Sequence, residues 1–262
     1  MIPLLRPALL ISAFCTIAAY AALAGALGST NAPWSGPAFA APLGYDEFGR
    51  NLAATLLLSA ANSVLYGLAA VFVAGLISLL MAAGLTTVRR SVLAVLIDGL
   101  THVVEAIPVL LWVVALAVLA PTAGRTAGLL AFVLATAPFL TKLTAGELSR
   151  IQRTEFIAVA RSLEMPLWQR LRHHILPNAT LVLAPALAQI FGLAVAIDGA
   201  IAIAGSANRS ELSLGVLLIR GKENFIAHPH LLLTVLFLVG VIYALVAFCV
   251  RRFSARMVEL PR

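Results

Sequence analysis

The stretch EFIAVARSLEMPLWQRLRHHILPNA, residues 155–179, places a group of charges in the middle of an otherwise apolar chain. It holds two Glu, three Arg, two adjacent His and a Trp, whereas 61% of the 262 residues are hydrophobic and 11% are charged. Pro166 divides the stretch, and apolar side chains recur at helical spacing on both sides of it. Proline is well tolerated at the first position of a helix. The pattern therefore predicts two short helices separated by a break, each with an apolar stripe and a basic back.

The rest of the chain is too apolar for a soluble domain, which averages about 45–50% apolar and about 25% charged residues. A bilayer takes about 20 residues of apolar helix to cross. Six runs are read as spans: 7–27, 62–84, 92–119, 127–143, 178–204 and 229–250. We therefore predict an all-α polytopic membrane protein, a single domain over 1–262 with six transmembrane helices.

The Lys and Arg residues predict the orientation of these spans. Thirteen fall at the ends and gaps that would face one side, and five at the alternate ones. Cationic residues concentrate on the cytoplasmic side of membranes, so both termini and a loop over 144–176 are expected in the cytoplasm. Topology then accounts for the net charge of +7, and no nucleic-acid partner is predicted.

Two outer segments are expected, 28–61 and 205–228, and the first should end in a helix near the membrane surface. The first apolar run exceeds the usual length of a signal-peptide core, so we expect it to stay as a span. Cys15 and Cys249 both lie in predicted spans. Their spacing supports neither a metal site nor a disulfide framework.

The third predicted span carries three ionisable residues, Asp98, His102 and Glu105, at spacings that place them on one helical face. A charged residue at the bilayer centre costs about 2.5–3.5 kcal/mol on insertion scales, so this face should meet protein or a water-filled path. Asp198 in the fifth span is a fourth candidate. One hypothesis is a translocation pathway that favours cationic solutes; the alternatives are ion pairs that only hold helices together, or metal ligation by His102 and Glu105.

The charged stretch has three interpretations on its residues alone. It could be a solvated linker between spans, an amphipathic basic helix lying on anionic lipid, or a helix presented to a groove of a cytoplasmic partner. Residue chemistry leaves all three open.

The same stretch resembles the signature cytoplasmic loop of ABC-importer permeases, in which Glu, an Ala pair, a Gly and an Ile-x-Leu-Pro sequence follow one another. Glu155, Ala160 and Arg161 fit that pattern, and HILPN over 174–178 matches its end. A second stretch, LGYDEFGRN over 43–51, is similar to an outer segment of the dipeptide, oligopeptide and nickel importer permeases, the shorter C-type subunit. The matching outer positions are Gly44, Asp46, Gly49 and Arg50.

The resemblance implies the fold of an ABC type I importer permease, multi-pass in the bacterial cytoplasmic (inner) membrane. Its loop would form a coupling helix seated in a cleft of an ATPase. The positions it assigns to coupling are Glu155, Ala160, Arg161, Glu164, Met165, Pro166, Leu167, Trp168 and Arg170. The implied partners are a second homologous permease, two ABC ATPases and an extracytoplasmic solute-binding protein, with peptides, nickel or metal chelates as cargo.

No phosphate-binding GxxxxGK[ST] sequence occurs in the chain. The chain is therefore expected to be no enzyme and to bind no cofactor, with ATP and Mg²⁺ held by the partner ATPases. An ion-gradient-driven secondary transporter that uses the acidic third span is the alternative, and a non-transporting scaffold is a third class.

One position of the loop departs from the family pattern. Glu164 stands where the family has Gly, which commonly supplies an unusual backbone angle at a turn. We therefore expect Pro166, which disfavours a helical conformation at the residue before it, to supply the break.

Overall fold

The computed structural model describes residues 33–37, 39, 41–87, 99, 101–120, 124–203 and 211–258. The first predicted span, 7–27, and Asp98 of the third lie outside these residues.

Helices account for most of the described chain. They are α1 (Leu52–Thr87), α2 (Val109–Leu119), α3 (Gly124–Gln152), α4 (Glu155–Ser162), α5 (Leu167–Arg170), α6 (Leu176–Ile203), α7 (Leu214–Glu223) and α8 (Pro229–Val258). A π-helical turn, Leu171–Ile175, joins α5 to α6 without a break. A single antiparallel bridge pairs Tyr45 with Asn51 before α1 begins.

Four stretches are long and apolar enough to cross a membrane: Leu52–Ala82, Gly124–Gln152, Leu167–Ile201 and Pro229–Arg252. They correspond to the second, fourth, fifth and sixth predicted spans. The third is represented by a helical segment over 101–106 and by α2, with a break at 107–108. The all-α membrane class is therefore confirmed, while the count of six rests partly on residues outside the description.

Helix boundaries differ from the sequence expectation in two places. The expected surface helix and the second span form one continuous helix of 36 residues, α1. At the other end of the bundle, α3 runs on to Gln152 and the next rod begins at Leu167. The connection between them is thus 153–166 with α4 inside it, shorter than the expected 144–176, because Ile151 and its neighbours continue to pack on the helix bundle.

The core lies where α1, α3 and α6 meet around Phe132, Leu140 and Ile201. Small residues allow close helix approach, as is usual in membranes. A Cβ on Gly128 would lie 2.1 Å from Cδ1 of Ile201. A second apolar cluster joins α1, α7 and α8 at the end that carries 33–51, which we call the outer end after the predicted orientation. A third, of Ile151, Ile157, Ile175 and Ala179, closes the opposite, inner end.

Candidate functional site

The turn between α4 and α5 is built by hydrogen bonds that end a helix in the Schellman pattern. The backbone N–H of Glu164 donates to the carbonyl of Arg161 at 2.9 Å, and that of Met165 to the carbonyl of Ala160 at 3.1 Å. Glu164 has φ +53°, the left-handed conformation that glycine adopts most easily. The expectation that Pro166 alone supplies the break is therefore corrected: Glu164 takes the glycine conformation itself, and Pro166 then caps α5.

Helix α4 has two apolar faces instead of the single stripe expected. Ile157 and Ala160 are buried, and Ile157 belongs to the inner cluster. Phe156, Val159 and Leu163 are exposed. These three stand at i, i+3 and i+7, one position out of phase with the buried pair, so the apolar residues of α4 divide between a packed face and an exposed face.

Helix α5 continues the exposed apolar surface. Leu167 is 71% exposed and Trp168 is 64% exposed. Farther along the same rod, Leu171 packs on the inner cluster and Ile175 is buried. The apolar side chains of Leu167, Leu171 and Ile175 are therefore exposed at the start of this rod and packed farther along it.

We call the exposed set the coupling surface. It comprises Phe156, Val159, Leu163, Leu167 and Trp168. Contiguous exposed apolar patches on a protein mark interaction sites. The inner cluster holds the opposite face of α4 on α3 and α6, so this surface is attached directly to two long helices.

Charged side chains border the coupling surface. Glu155, Arg161 and Glu164 are exposed. Arg170 is half-buried, and its Nε is enclosed without a hydrogen-bond partner in the described part of the chain. The border thus carries both signs of charge, which suits recognition of a partner with a mixed pattern of its own.

The third span meets α3 through an ion pair. Lys142 donates from Nζ to Oε2 of Glu105 at 2.7 Å, and the same Nζ lies 3.1 Å from Nδ1 of His102. The two side chains of the ion pair stay partly exposed. His102 and Glu105 are thus brought together as expected, around a lysine that sequence reasoning had counted only as a topological charge.

The break at 107–108 lies next to this ion pair. Pro108 precedes α2 in an extended conformation, as expected for a proline that interrupts a helix. The indole Nε1 of Trp112 donates to the carbonyl of Val104 at 3.2 Å, which satisfies one backbone group that the break releases. Interrupted helices in membranes occur where the backbone is enclosed by protein or borders a water-filled cavity.

Asp198 lies apart from that group, near the outer end. It is buried, and its two carboxylate oxygens accept hydrogen bonds from Nε of Arg125 at 2.8 Å and from Oγ of Ser63 at 2.7 Å. The guanidinium of Arg125 also lies over the ring of Tyr66, 5.0 Å from its centroid.

Each carboxylate that the structure describes within the long helices has a cationic partner. Glu105 pairs with Lys142, Asp198 with Arg125, and Glu147 with Arg150. The prediction of an acidic path was made from the carboxylates alone, and these partners neutralise the charge on which it rested. Among the described residues, no group of three or more His, Cys, Asp or Glu could hold a metal ion.

The outer stretch 43–51 forms a tight turn around Asp46. Gly44 and Gly49 have φ values of +80° and +68°, conformations that disfavour other residues. The buried carboxylate of Asp46 accepts hydrogen bonds from the backbone N–H groups of Phe48 and Arg50, each at 2.9 Å, and from Nε of Arg50 at 2.8 Å. All four outer positions identified in the sequence thus act in one turn.

Arg220 of α7 binds this turn to the helix bundle; from the sequence it had been counted only as one of the five charges on the outer side. Its Nε lies 3.1 Å from Oε1 of Glu47, and its Nη1 lies 3.8 Å from Oδ2 of Asp46. The guanidinium groups of Arg220 and Arg50 both lie over the ring of Phe48, at 4.8 and 4.7 Å from its centroid. The outer segment is therefore held rigidly on α7.

Comparison with known protein families covers the larger part of the chain. Residues 74–259 match the family model described as "Binding-protein-dependent transport system inner membrane component". No curated protein sequence matches the chain.

Two solved structures share the fold at low sequence identity. One is titled as inward-facing conformations of the MetNI methionine ABC transporter, with 18% identity, a TM-score of 0.59, and coverage of 78% of this chain and 96% of that one. The other is titled as an amino acid ABC transporter with histidines, with 16% identity, a TM-score of 0.60, and coverage of 78% and 94%.

Proposed function

The chain belongs to the family of binding-protein-dependent transport system inner membrane components, and from that premise we propose that it is the permease subunit of an ATP-driven importer whose cargo is a peptide or a metal chelate. The coupling surface carries this proposal. An apolar patch with charged borders, fixed at the inner end of two long helices, is a surface that an ATPase could bind and move.

The packing beneath the coupling surface supports a role in transmitting movement to the membrane helices. Ile157 is 1% exposed and packs with Ile151 of α3 and Ile175 of the turn before α6. Tilting α4 therefore displaces α3 and α6 together, because packed side chains transmit rigid-body shifts. Lys142 and Arg125 stand on α3, and Asp198 on α6, so both membrane ion pairs would respond.

An ATP-driven transport cycle would require further subunits beside this chain. Two ATPases would supply the nucleotide chemistry with their own ATP and Mg²⁺, and a second homologous permease would close the path. A solute-binding protein would deliver cargo at the outer end, where Arg220 holds the Asp46 turn in place. Both termini would lie in the cytoplasm.

The cargo class rests on two observations. The outer turn over 43–51 is similar to that of permeases for dipeptides, oligopeptides and nickel. The paired carboxylates leave no net acidic stripe among the described residues, which favours a solute of balanced charge, such as a peptide zwitterion or a neutral chelate, over a bare cation. The two structural neighbours are named for methionine and amino acids, solutes with the same balance.

The proposal also assigns four residues to the translocation pathway: Asp98, His102, Glu105 and Asp198. The partly exposed Lys142–Glu105 pair would be costly if it faced hydrocarbon. It would border the path or the second permease, with the interrupted third span beside it. Asp198 would act at the outer end by holding helices in place.

The test is to purify the chain with its native partners and to reconstitute the assembly in proteoliposomes. The proposal predicts that an ATPase co-purifies and that labelled dipeptide accumulates only when ATP and a binding protein are supplied on their proper sides. Accumulation driven by a proton or sodium gradient without ATP would instead support the secondary transporter. Parallel assays with a nickel chelate and with methionine would separate the cargo classes.

A further inference from the structure

Glu164 occupies the apex of the turn in the coupling surface, in a conformation that its side chain makes unfavourable. The left-handed conformation is unfavourable for an L-residue other than glycine, and φ at this position is +53°. The two Schellman hydrogen bonds from Glu164 and Met165 hold the backbone there. A glycine would meet the same backbone geometry without that cost.

No contact of the Glu164 side chain in the described part of the chain offsets this cost. The side chain of Glu164 is exposed, and its carboxylate makes no hydrogen bond or ion pair with any other described residue. It contrasts with Asp46, Glu105, Glu147 and Asp198, each of which has a cationic partner. Sterically unfavourable residues of this kind concentrate at functional contacts.

Apolar residues lie on either side of Glu164 along the chain. Leu163 and Leu167 flank the turn and are both strongly exposed, and Trp168 follows. A partner that covers these side chains also removes water from the carboxylate between them. A carboxylate taken out of water without a counter-charge is strongly disfavoured, so the covering surface must supply a cation.

We propose that Glu164 is the residue by which this permease selects its ATPase, through an ion pair with a basic side chain in the cleft that receives the coupling surface. The inference rests on the proposed function and adds a specific chemistry to it. The apolar residues supply contact area that many clefts could satisfy. Glu164 restricts the match to clefts with Lys or Arg at one place, which is how charge selects among otherwise similar partners.

The test compares three variants with the unaltered permease in nanodiscs, with titrated ATPase and binding measured by interferometry at two salt concentrations. Glu164→Gln keeps the size and the unfavourable backbone but removes the charge. Glu164→Gly removes both. Arg153→Gln is the matched control, because it neutralises another exposed charge of the same connection at a position outside the coupling surface.

We expect Glu164→Gln and Glu164→Gly to raise the dissociation constant about tenfold and to flatten its salt dependence, while Arg153→Gln changes it less than about threefold. The glycine variant alone should also raise the melting temperature of the isolated permease. Glu164→Lys should lose the ATPase and regain it when one Lys or Arg of the cleft is replaced by Glu.

Wild-type affinity and salt dependence in Glu164→Gln would overturn the ion pair while leaving the importer in place. Absence of ATPase binding by every form, the unaltered chain included, would overturn the proposed function and this inference with it.

Discussion

Arg125 and Asp198 form an ion pair at the outer ends of α3 and α6, with Nε of the guanidinium 2.8 Å from Oδ1 of the carboxylate. Ser63 of α1 donates to the second oxygen and itself accepts from the backbone N–H of Leu214 at 3.0 Å. One carboxylate thus ties three long helices together, and through Ser63 it reaches the first turn of α7.

Asp198→Asn should destabilise the protein by about 2–3 kcal/mol. Breaking a fully buried pair costs about 3–5 kcal/mol, and the cost is lower here because Arg125 remains 21% exposed. Thermal melting in detergent, followed by tryptophan fluorescence, measures the stability of each variant. Adding Arg125→Met should recover part of the loss, because the unpaired cation is then gone. Strict additivity of the two changes would contradict the direct pairing.

Gly215→Ala should be far more damaging than Gly128→Ala. A Cβ on Gly215 would meet backbone, the carbonyl oxygen of Asp198 and Cα of Gly199, each at 2.5 Å, whereas one on Gly128 would meet mainly the end of the Ile201 side chain. Ile201→Ala should therefore rescue Gly128→Ala, and no side-chain change should rescue Gly215→Ala. Yield and melting temperature of the purified variants measure both.

Gly146→Ala serves as the matched control for these substitutions. Gly146 lies within α3, and a Cβ there would meet nothing within 4 Å. The change should be neutral or stabilising by up to about 1 kcal/mol, the helix preference of Ala over Gly. Destabilisation by Gly146→Ala would mean that any added methyl group harms these helices.

Asp46→Ala should loosen the outer turn, since two backbone N–H groups and Arg50 lose their acceptor. Leaving buried donors unsatisfied costs about 1–3 kcal/mol each, so we expect faster proteolysis within 33–51 and a lower melting temperature. Glu47→Gln is the control, because Glu47 is more exposed and contributes one contact to Arg220. Equal proteolysis rates for the two variants would contradict the central role of Asp46.

Leu167→Asp and Ile157→Asp should fail in different ways. Leu167 is exposed, so its variant should fold with an unchanged melting temperature and lose the ATPase. Ile157 is enclosed by the inner cluster, and burying an unpaired charge there should abolish folding. Measuring melting and ATPase retention on the same samples separates the two faces of α4. Loss of the fold in Leu167→Asp would contradict the assignment of Leu167 to an exposed face.

Glu105→Lys should impair transport, and the charge swap with Lys142→Glu should restore part of it. The reason is the 2.7 Å ion pair between the two side chains, whose swapped form keeps one charge of each sign. The measurement is ATP-dependent uptake in proteoliposomes at equal ATPase content. A swapped variant that transports no better than Glu105→Lys would show that position, and not pairing, matters.

The sequence was sufficient for the features that depend on local pattern. Apolar runs predicted the long helices, and the residues around Pro166 predicted a short helix followed by a break. The second short helix expected there is instead the start of the continuous rod Leu167–Ile201. Helical spacing also placed His102 and Glu105 on one face, where Lys142 now contacts both.

Features that depend on distant contacts could not be obtained in this way. Lys142 and Arg125 were counted as topological charges, because nothing local reveals a partner 37 or 73 positions away. The choice of which apolar residues of α4 are buried depends on how the bundle presents its inner end. The left-handed angle at Glu164 follows from backbone hydrogen bonds that a side-chain pattern does not encode.

In the proposed assembly an ATPase covers the coupling surface. The direct measurement is the rate at which a water-soluble maleimide modifies a Leu167→Cys variant, made with Cys15 and Cys249 replaced by Ser, in the purified assembly and in the isolated chain. The account predicts strong protection in the assembly, with Arg153, at the far end of the connection, tested in the same way as a reference position. Equal modification of position 167 with and without the ATPase would contradict it.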